Sequence, residues 1–409
     1  KKKLIKYYFD KLQKNPHLHD KVEFEILFTC YDFTIDRRLK ELENYGFTKN
    51  EINQVKSSLI NITRDILNNF STISSKCNKS LMALLTRRRL ILSGLNNSSN
   101  SNKDLLVSAQ KLLSDCKNYG TLSFSIMARI SFIGTILLKS LQNMGIFGNN
   151  FYDNFINSVS TPLTEIQNDV SDFKNGQISK QAFFKKYGHL RPGTYDITQD
   201  RYDKNYTFFS EINFNKKEKK PGQQFNKKTV SDLVSKHLNI QSNIDLLDFI
   251  RDAITQREKL KFEFTKNLSD SLELIIKIGT EMGFTRNELA NLDLNTILKS
   301  ENQSKIKSQK VWRKKIELQA KKKQLNNFLN LPQIIFSKND FDIINYRSSK
   351  PNFITDKKII KQIITLKKNI TPVSMENKIL LIENADPGFD WIFTKNPAGL
   401  ITKYGGVAS

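Results

Sequence analysis

The chain has 409 residues and a formal net charge of +24, with 38% hydrophobic and 26% charged residues. That length exceeds one ordinary core, so two or three domains are expected, and the apolar content excludes a wholly disordered chain. No apolar run approaches the ~20 residues of a membrane span, and the basic opening KKKLIKYYFD leads into no apolar signal-peptide region.

Cys30, Cys77 and Cys116 have neither metal-site nor disulfide-framework spacing, which fits a reducing, cytoplasmic setting. The lysines are spread among many Asn and Ile residues and read as background composition. The stretches NKKEKKPGQQFNKK (215–228) and WRKKIELQAKKKQ (312–324) then form solvated loops and helix faces. Few aromatics are interleaved with the charges, which argues against single-strand binding; neither nucleic acid nor a membrane is expected as a partner.

In chain order, HDKVEFEILFTCYDF carries apolar residues on more than one face and predicts a well-buried helix. RRLKELENYGF ends at a Gly stop. TKNEINQVKSSLINITRDILNNF then opens with Thr48 and Glu51 spaced as a capping box. LNNSSNSNKD (95–104) is a polar loop, after which DLLVSAQKLLSDCKNYG and LSFSIMARISFIGTILLKSLQNMG predict two helices. FYDNFINSVSTPLTEIQNDVSDFKNG predicts one long helix stopped by Gly176, and SKQAFFKKYG a short one. HLRPGTYDITQDRYD cannot be a regular helix, because Pro192 and Gly193 interrupt it. A long helix is predicted through DLLDFIRDAITQREKLKFEFTKNLSDSLELIIKIGTEMG, and a Lys-rich one over roughly 302–328. From PQIIFSKNDFDIINY onward the pattern changes to short β-rich runs, which places a domain boundary near residue 331: 1–330 helical, 331–409 β-containing. No P-loop, GxGxxG or GxSxG pattern occurs.

Three constellations could carry chemistry. In KNPHLHDKVEFEI, Asn15 and Pro16 read as N-cap and first helical residue. On that helix His17, Asp20 and Lys21 share one face, and His19 and Glu23 another. A capped helix start with surface ion pairs, a polar substrate site and a His/carboxylate metal site are all compatible with this spacing. In YGHLRPGTYD, one turn concentrates His189, Arg191, Tyr195 and Asp196; an ordinary surface turn is the alternative. Arg191 offers a planar fork suited to a carboxylate or phosphate. Both segments put polar groups on apolar scaffolding, so they are expected to face each other across one pocket. The third is the tail DPGFDWIFTKNPAGLITKYGGVAS, whose paired glycines allow close backbone approach.

AGLITKYGGVAS resembles the phosphohistidine loop of the phosphoenolpyruvate-utilising dikinase superfamily, whose pattern is Thr-x-x-Gly-Gly-x-x-Ser-His. Thr402, Gly405, Gly406 and Ser409 match in order. The pattern's phosphoryl-carrying histidine would fall one position past Ser409. KNPHLHDKVEFEI and YGHLRPGTYDIT are similar to the L-glutamine kinase branch, which makes the phosphoramidate donor for capsular polysaccharide decoration. The resemblance spans essentially the whole chain. It implies a mainly α fold: a large helical acceptor-binding domain followed by the truncated start of an α/β swivelling phosphohistidine domain. It also implies an upstream ATP-grasp domain binding ATP and Mg2+, without which, and without the histidine, the fragment would not turn over.

The implied reaction charges the histidine from ATP, leaving AMP and phosphate, and discharges it to the amide nitrogen of L-glutamine. A delocalised amide lone pair needs a base, and the anionic transition state needs cations. His17, His19, Asp20, Glu23, His189 and Arg191 are the catalytic candidates. Lys21, Tyr195, Asp196, Arg257 and Glu258 are candidates for substrate binding. Arg191 is expected to serve the acceptor half-reaction rather than charging. Pyruvate or another small acceptor remains an alternative substrate, and a non-catalytic nucleic-acid-binding helical module an alternative function.

Overall fold

The structure is a computed structural model that describes residues 1–96, 100–148, 150–205, 227–240, 245–326 and 334–341, and short stretches between 353 and 404. It is mainly α-helical with one small parallel sheet. α1 (Lys2–Lys14) and α2 (Ile35–Lys40) flank an irregular segment and lead to α3 (Lys49–Asn96). α3 has 48 residues, about 72 Å at 1.5 Å per residue, and runs well past the stretch its start predicts. Its capping box forms as expected: Glu51 N–H donates to Thr48 Oγ1 at 3.2 Å and Thr48 N–H to Glu51 Oε2 at 2.8 Å.

α4 (Asn102–Asp115) is capped by Ser101 and Asp104. It does not stop at Gly120; a π-turn over Cys116–Thr121 carries it into α5 (Leu122–Asn143). The combined run Asn102–Asn143 is long and apolar enough to cross a membrane by length and composition, contrary to the reading of the sequence, and 44% of its most apolar window is buried inside the protein. The single helix expected from Phe151 to the stop at Gly176 is two, α6 (Phe151–Ser158) and α7 (Pro162–Lys174). Thr161 is extended, at φ −136° and ψ 165°. The ring of Pro162 disfavours helical backbone at the residue before it, which breaks the run.

α8 (Lys180–Tyr187) precedes the HLRPG turn, and α9 (Lys227–Leu238) is the next helix among the described residues. α10 (Leu246–Glu281), capped by Asp245, is the central helix, packed on α4, α5 and α3. α11 (Arg286–Leu289), α12 (Leu294–Leu298) and α13 (Lys305–Asn326) close the helical part. Strands β1 (Ile363–Thr365), β2 (Ile379–Asn384) and β3 (Gly399–Tyr404) form a parallel sheet in that order, with Leu380 aligned to Ile364 and Leu400.

Three apolar clusters hold these elements. One joins α1, α2, α3, α5, α9 and the first half of α10. A second joins α4, the end of α10 and α11–α13 around Trp312. In the third, Met375, Leu380, Ile382 and Ile392 from the strand region pack with Val170, Phe183, Tyr187, Leu190 and Tyr202.

Candidate functional site

The 15–26 segment is not the regular helix its pattern predicts. One 3-10 turn covers Pro16–Leu18, one π-turn covers Val22–Ile26, and the backbone is extended at Leu27. Arg38 explains the exit: its Nη2 donates to the carbonyls of Ile26 at 3.2 Å and Leu27 at 3.0 Å, replacing the bonds a continuing helix would supply. The expected helical faces of His17, Asp20, Lys21, His19 and Glu23 therefore do not exist as such. Asn15 and Pro16 do stand at the start of the 3-10 turn, but Asn15 Nδ2 donates back to Lys11 O at 3.0 Å instead of capping forward.

His17, His19, Asp20, Lys21 and Glu23 are all half-buried. His19 Nδ1 lies 3.2 Å from the Pro16 carbonyl. Glu23 pairs with Arg129 of α5 at 3.3 Å, and Phe24 packs on Phe132 with ring centroids 5.1 Å apart. Both carboxylate oxygens of Asp20 are closed off from solvent without a hydrogen-bond partner. A buried carboxylate left so is costly, and a cationic ligand group would relieve it. Arg257 of α10 lies over the Phe132 ring at 5.3 Å and pairs with Glu258 at 3.2 Å.

The 187–205 segment is fastened further along α10. Its neck closes through Tyr202 N–H to Leu190 O at 2.9 Å and Asp203 N–H to Gly188 O at 3.3 Å. Gly193, at φ +74°, turns the chain, and Asp196 N–H donates to Gly193 O at 2.8 Å. Asp196 is used by this turn: its Oδ1 accepts from Thr198 N–H at 2.9 Å and Thr198 Oγ1 at 2.6 Å. Tyr195 points outward, 68% exposed.

Arg191, expected as a clamp on an acceptor or phosphoryl group, is 1% exposed. Its guanidinium donates to Gln199 O (3.3 Å), Ser269 O (3.2 Å), Ser269 Oγ (3.0 Å) and Glu273 Oε1 (3.0 Å). It joins the turn to α10 and offers no fork to a ligand. Glu273 also pairs with Lys204 and lies 3.8 Å from Arg286. Burial pushes the Glu273 carboxyl up, but Lys204, Arg191 and Arg286 together hold it below the ordinary range. One turn back, Asp270 bridges Arg88 of α3 at 2.6 Å and Arg201 at 2.7 Å.

His189 sits among these charges and is 4% exposed. Its ring meets Phe262 edge-on at 4.9 Å, and neither ring nitrogen closes a regular hydrogen bond, although the Phe262 main chain faces it. Burial first, then Lys266, Arg201 and Arg88, hold its pKa well below the ordinary histidine value. The imidazole is therefore neutral at pH 7, a weak base with one ring nitrogen able to accept a hydrogen bond.

α10 is the common support. Arg257 meets the packing partners of the 15–26 segment, and Phe262 lies under His189, about 7.5 Å further along the axis at 1.5 Å per residue. Sequence reading missed Arg88, Arg201, Lys266, Asp270 and Glu273. Asp270 and Glu273, three apart in the apolar NLSDSLELII, were the available signal.

Thr402 lies in β3, while Gly405, Gly406 and Ser409 fall outside the described residues. A groove of about 650 Å³ between α3 and the first turns of α10, lined by Phe70, Ser74, Asn78, Lys79 and Asp252 among others, includes none of the expected site residues. Among the described residues no three His, Cys, Asp or Glu side chains converge into a metal site. Compared with protein-family models and with curated proteins, the chain matches none.

Proposed function

We propose that this chain is the acceptor-binding region, with the start of the phosphohistidine-bearing unit, of an ATP-dependent phosphotransferase whose acceptor is the amide nitrogen of L-glutamine. The observation that supports it most is the third apolar cluster. It seats Met375, Leu380, Ile382 and Ile392 against Tyr187, Leu190 and Tyr202, which bracket the HLRPGTYDIT turn. Leu400 of AGLITKYGGVAS packs against the same cluster, so two of the three resembling motifs, far apart in sequence, meet at one core. The matching threonine, Thr402, lies near the carboxyl end of β3, the end at which open parallel sheets place ligands.

In this reading ATP and Mg2+ are bound by an ATP-grasp domain of the parent chain, which charges the histidine and releases AMP and phosphate. On discharge, the glutamine amide nitrogen loses a proton to a base. A nitrogen–phosphorus bond forms as the phosphorus–imidazole bond breaks, and the imidazole leaves. His189 is placed to accept a hydrogen bond from the amide N–H and orient it, because its ring is neutral and has no regular hydrogen-bond partner. Asp20, with its shielded carboxylate, receives the α-ammonium. Lys266, Arg201 and Arg88 supply a positive field around His189, which favours the anionic transition state. Arg191 is a positioning residue. The product serves capsular phosphoramidate synthesis in the cytoplasm.

The test is product analysis by phosphorus NMR with the full-length protein, ATP and a panel of glutamine, pyruvate and glutamate. Glutamine-dependent AMP, phosphate and a phosphoramidate signal are expected. Turnover with pyruvate but not glutamine would replace the acceptor, and no AMP with any acceptor would remove the phosphotransferase reading.

A further inference from the structure

Helix α13 carries nine basic residues and one acidic residue in 22 positions, a large share of the chain's net +24 on one element. Its buried edge is Ser308, Trp312 and Ile316, four residues apart, and Trp312 Nε1 donates to Ser300 Oγ at 2.8 Å. That edge fixes which way the rest of the helix faces.

At 100° per residue, the remaining exposed flank resolves into three rows. Lys307, Lys314 and Lys321 form one row at seven-residue spacing, and Lys315 and Lys322 form another; all five are exposed. Between the rows lie Val311 and Leu318, 37% and 47% exposed. The single acid, Glu317, falls outside the rows. The aliphatic row is thus flanked on both sides by lysines and, among the described residues, is left uncovered.

We infer that this flank of α13 docks on an anionic lipid bilayer surface. Lysines beside an aliphatic row can reach the headgroup plane while Val311 and Leu318 enter the headgroup–acyl boundary. A nucleic-acid face would favour arginine forks and aromatic stacking platforms. The flank has neither: the helix's one arginine, Arg313, is turned over the Phe284 ring at 5.2 Å. The inference rests on α13 alone and is independent of the proposed reaction.

The test is co-sedimentation of the full-length protein with phosphatidylcholine vesicles containing 30% phosphatidylserine, against pure phosphatidylcholine, at low salt and at 0.5 M NaCl. Binding to the anionic vesicles only, and its loss at high salt, is expected. The triple variant Lys307→Glu/Lys314→Glu/Lys321→Glu should bind at least about tenfold more weakly. Val311→Ser/Leu318→Ser should reduce binding severalfold, and both variants should keep the parent's circular dichroism. No binding to anionic vesicles, binding unchanged in the triple variant, or no effect of the aliphatic pair would each overturn the inference. Displacement of the vesicles by a short oligonucleotide at equal charge concentration would assign the flank to nucleic acid instead.

Discussion

His189 keeps a neutral ring because burial removes water from an imidazolium, and Lys266, Arg201 and Arg88 repel one. Unfolded, the ring titrates near its ordinary value of about 6.5. Between that value and the lower folded one, the unfolded chain binds the extra proton. Stability is therefore lost as pH falls below about 6.5, at up to about 1.4 kcal/mol per pH unit, while above it both states are neutral and His189 adds no slope. Urea unfolding from pH 5 to 8 should show this slope in the parent and a shallower one in His189→Gln. Equal slopes would mean that the ring is protonated in the fold. Arg191 acts through structure as well. Arg191→Ala removes the guanidinium contacts to Ser269 and leaves part of the Glu273 charge without its buried partner, and should destabilise by about 3 kcal/mol, read from urea midpoints. Arg191→Lys should recover only part, because one ammonium cannot reach Gln199, Ser269 and Glu273 together. A fully stable Ala variant would contradict the buried-pair account.

At the scale of elements, several signals were legible where local chemistry decided the outcome, while the equally local break before Pro162 was passed over. Thr48 with Glu51, Ser179 at the start of α8 and the Gly46 stop act within a few residues of themselves. The break at 15–26 was not legible, because the group that ends it, Arg38, comes from a later helix. The same holds for the charge network: Arg88 and Asp270 meet across 182 positions, and no pattern along either helix names the partner. Gly120 illustrates a third case. It fell at the division between two expected helices, yet it lies inside the π-turn that joins them, where a Cβ would stand 2.4 Å from Phe264 Cβ. The glycine therefore serves the close approach of that turn to α10. Gly120→Ala should force the helices apart and lower stability by about 1–3 kcal/mol, measurable by thermal or urea unfolding. A neutral effect would show that α4–α5 can shift away from α10 freely.

At the scale of the molecule, α10 runs past both polar clusters, and the small sheet is seated beside the HLRPG turn by Tyr187, Leu190 and Tyr202. Under the proposed function, a phosphoryl carrier on the sheet would belong to a unit packed beside that turn. That function also divides into two jobs that substitution can distinguish. Under that proposal, charging from ATP belongs to an ATP-grasp domain of the parent, and discharge to the residues around the HLRPG turn. The most direct measurement is rapid-quench detection of the acid-labile phosphoenzyme in the full-length protein, with and without glutamine, for the parent and His189→Gln. The account predicts that both charge at similar rates, that glutamine discharges the parent, and that the His189→Gln phosphoenzyme persists with glutamine present. No acid-labile phosphoenzyme in the parent, or discharge indifferent to glutamine, would contradict it.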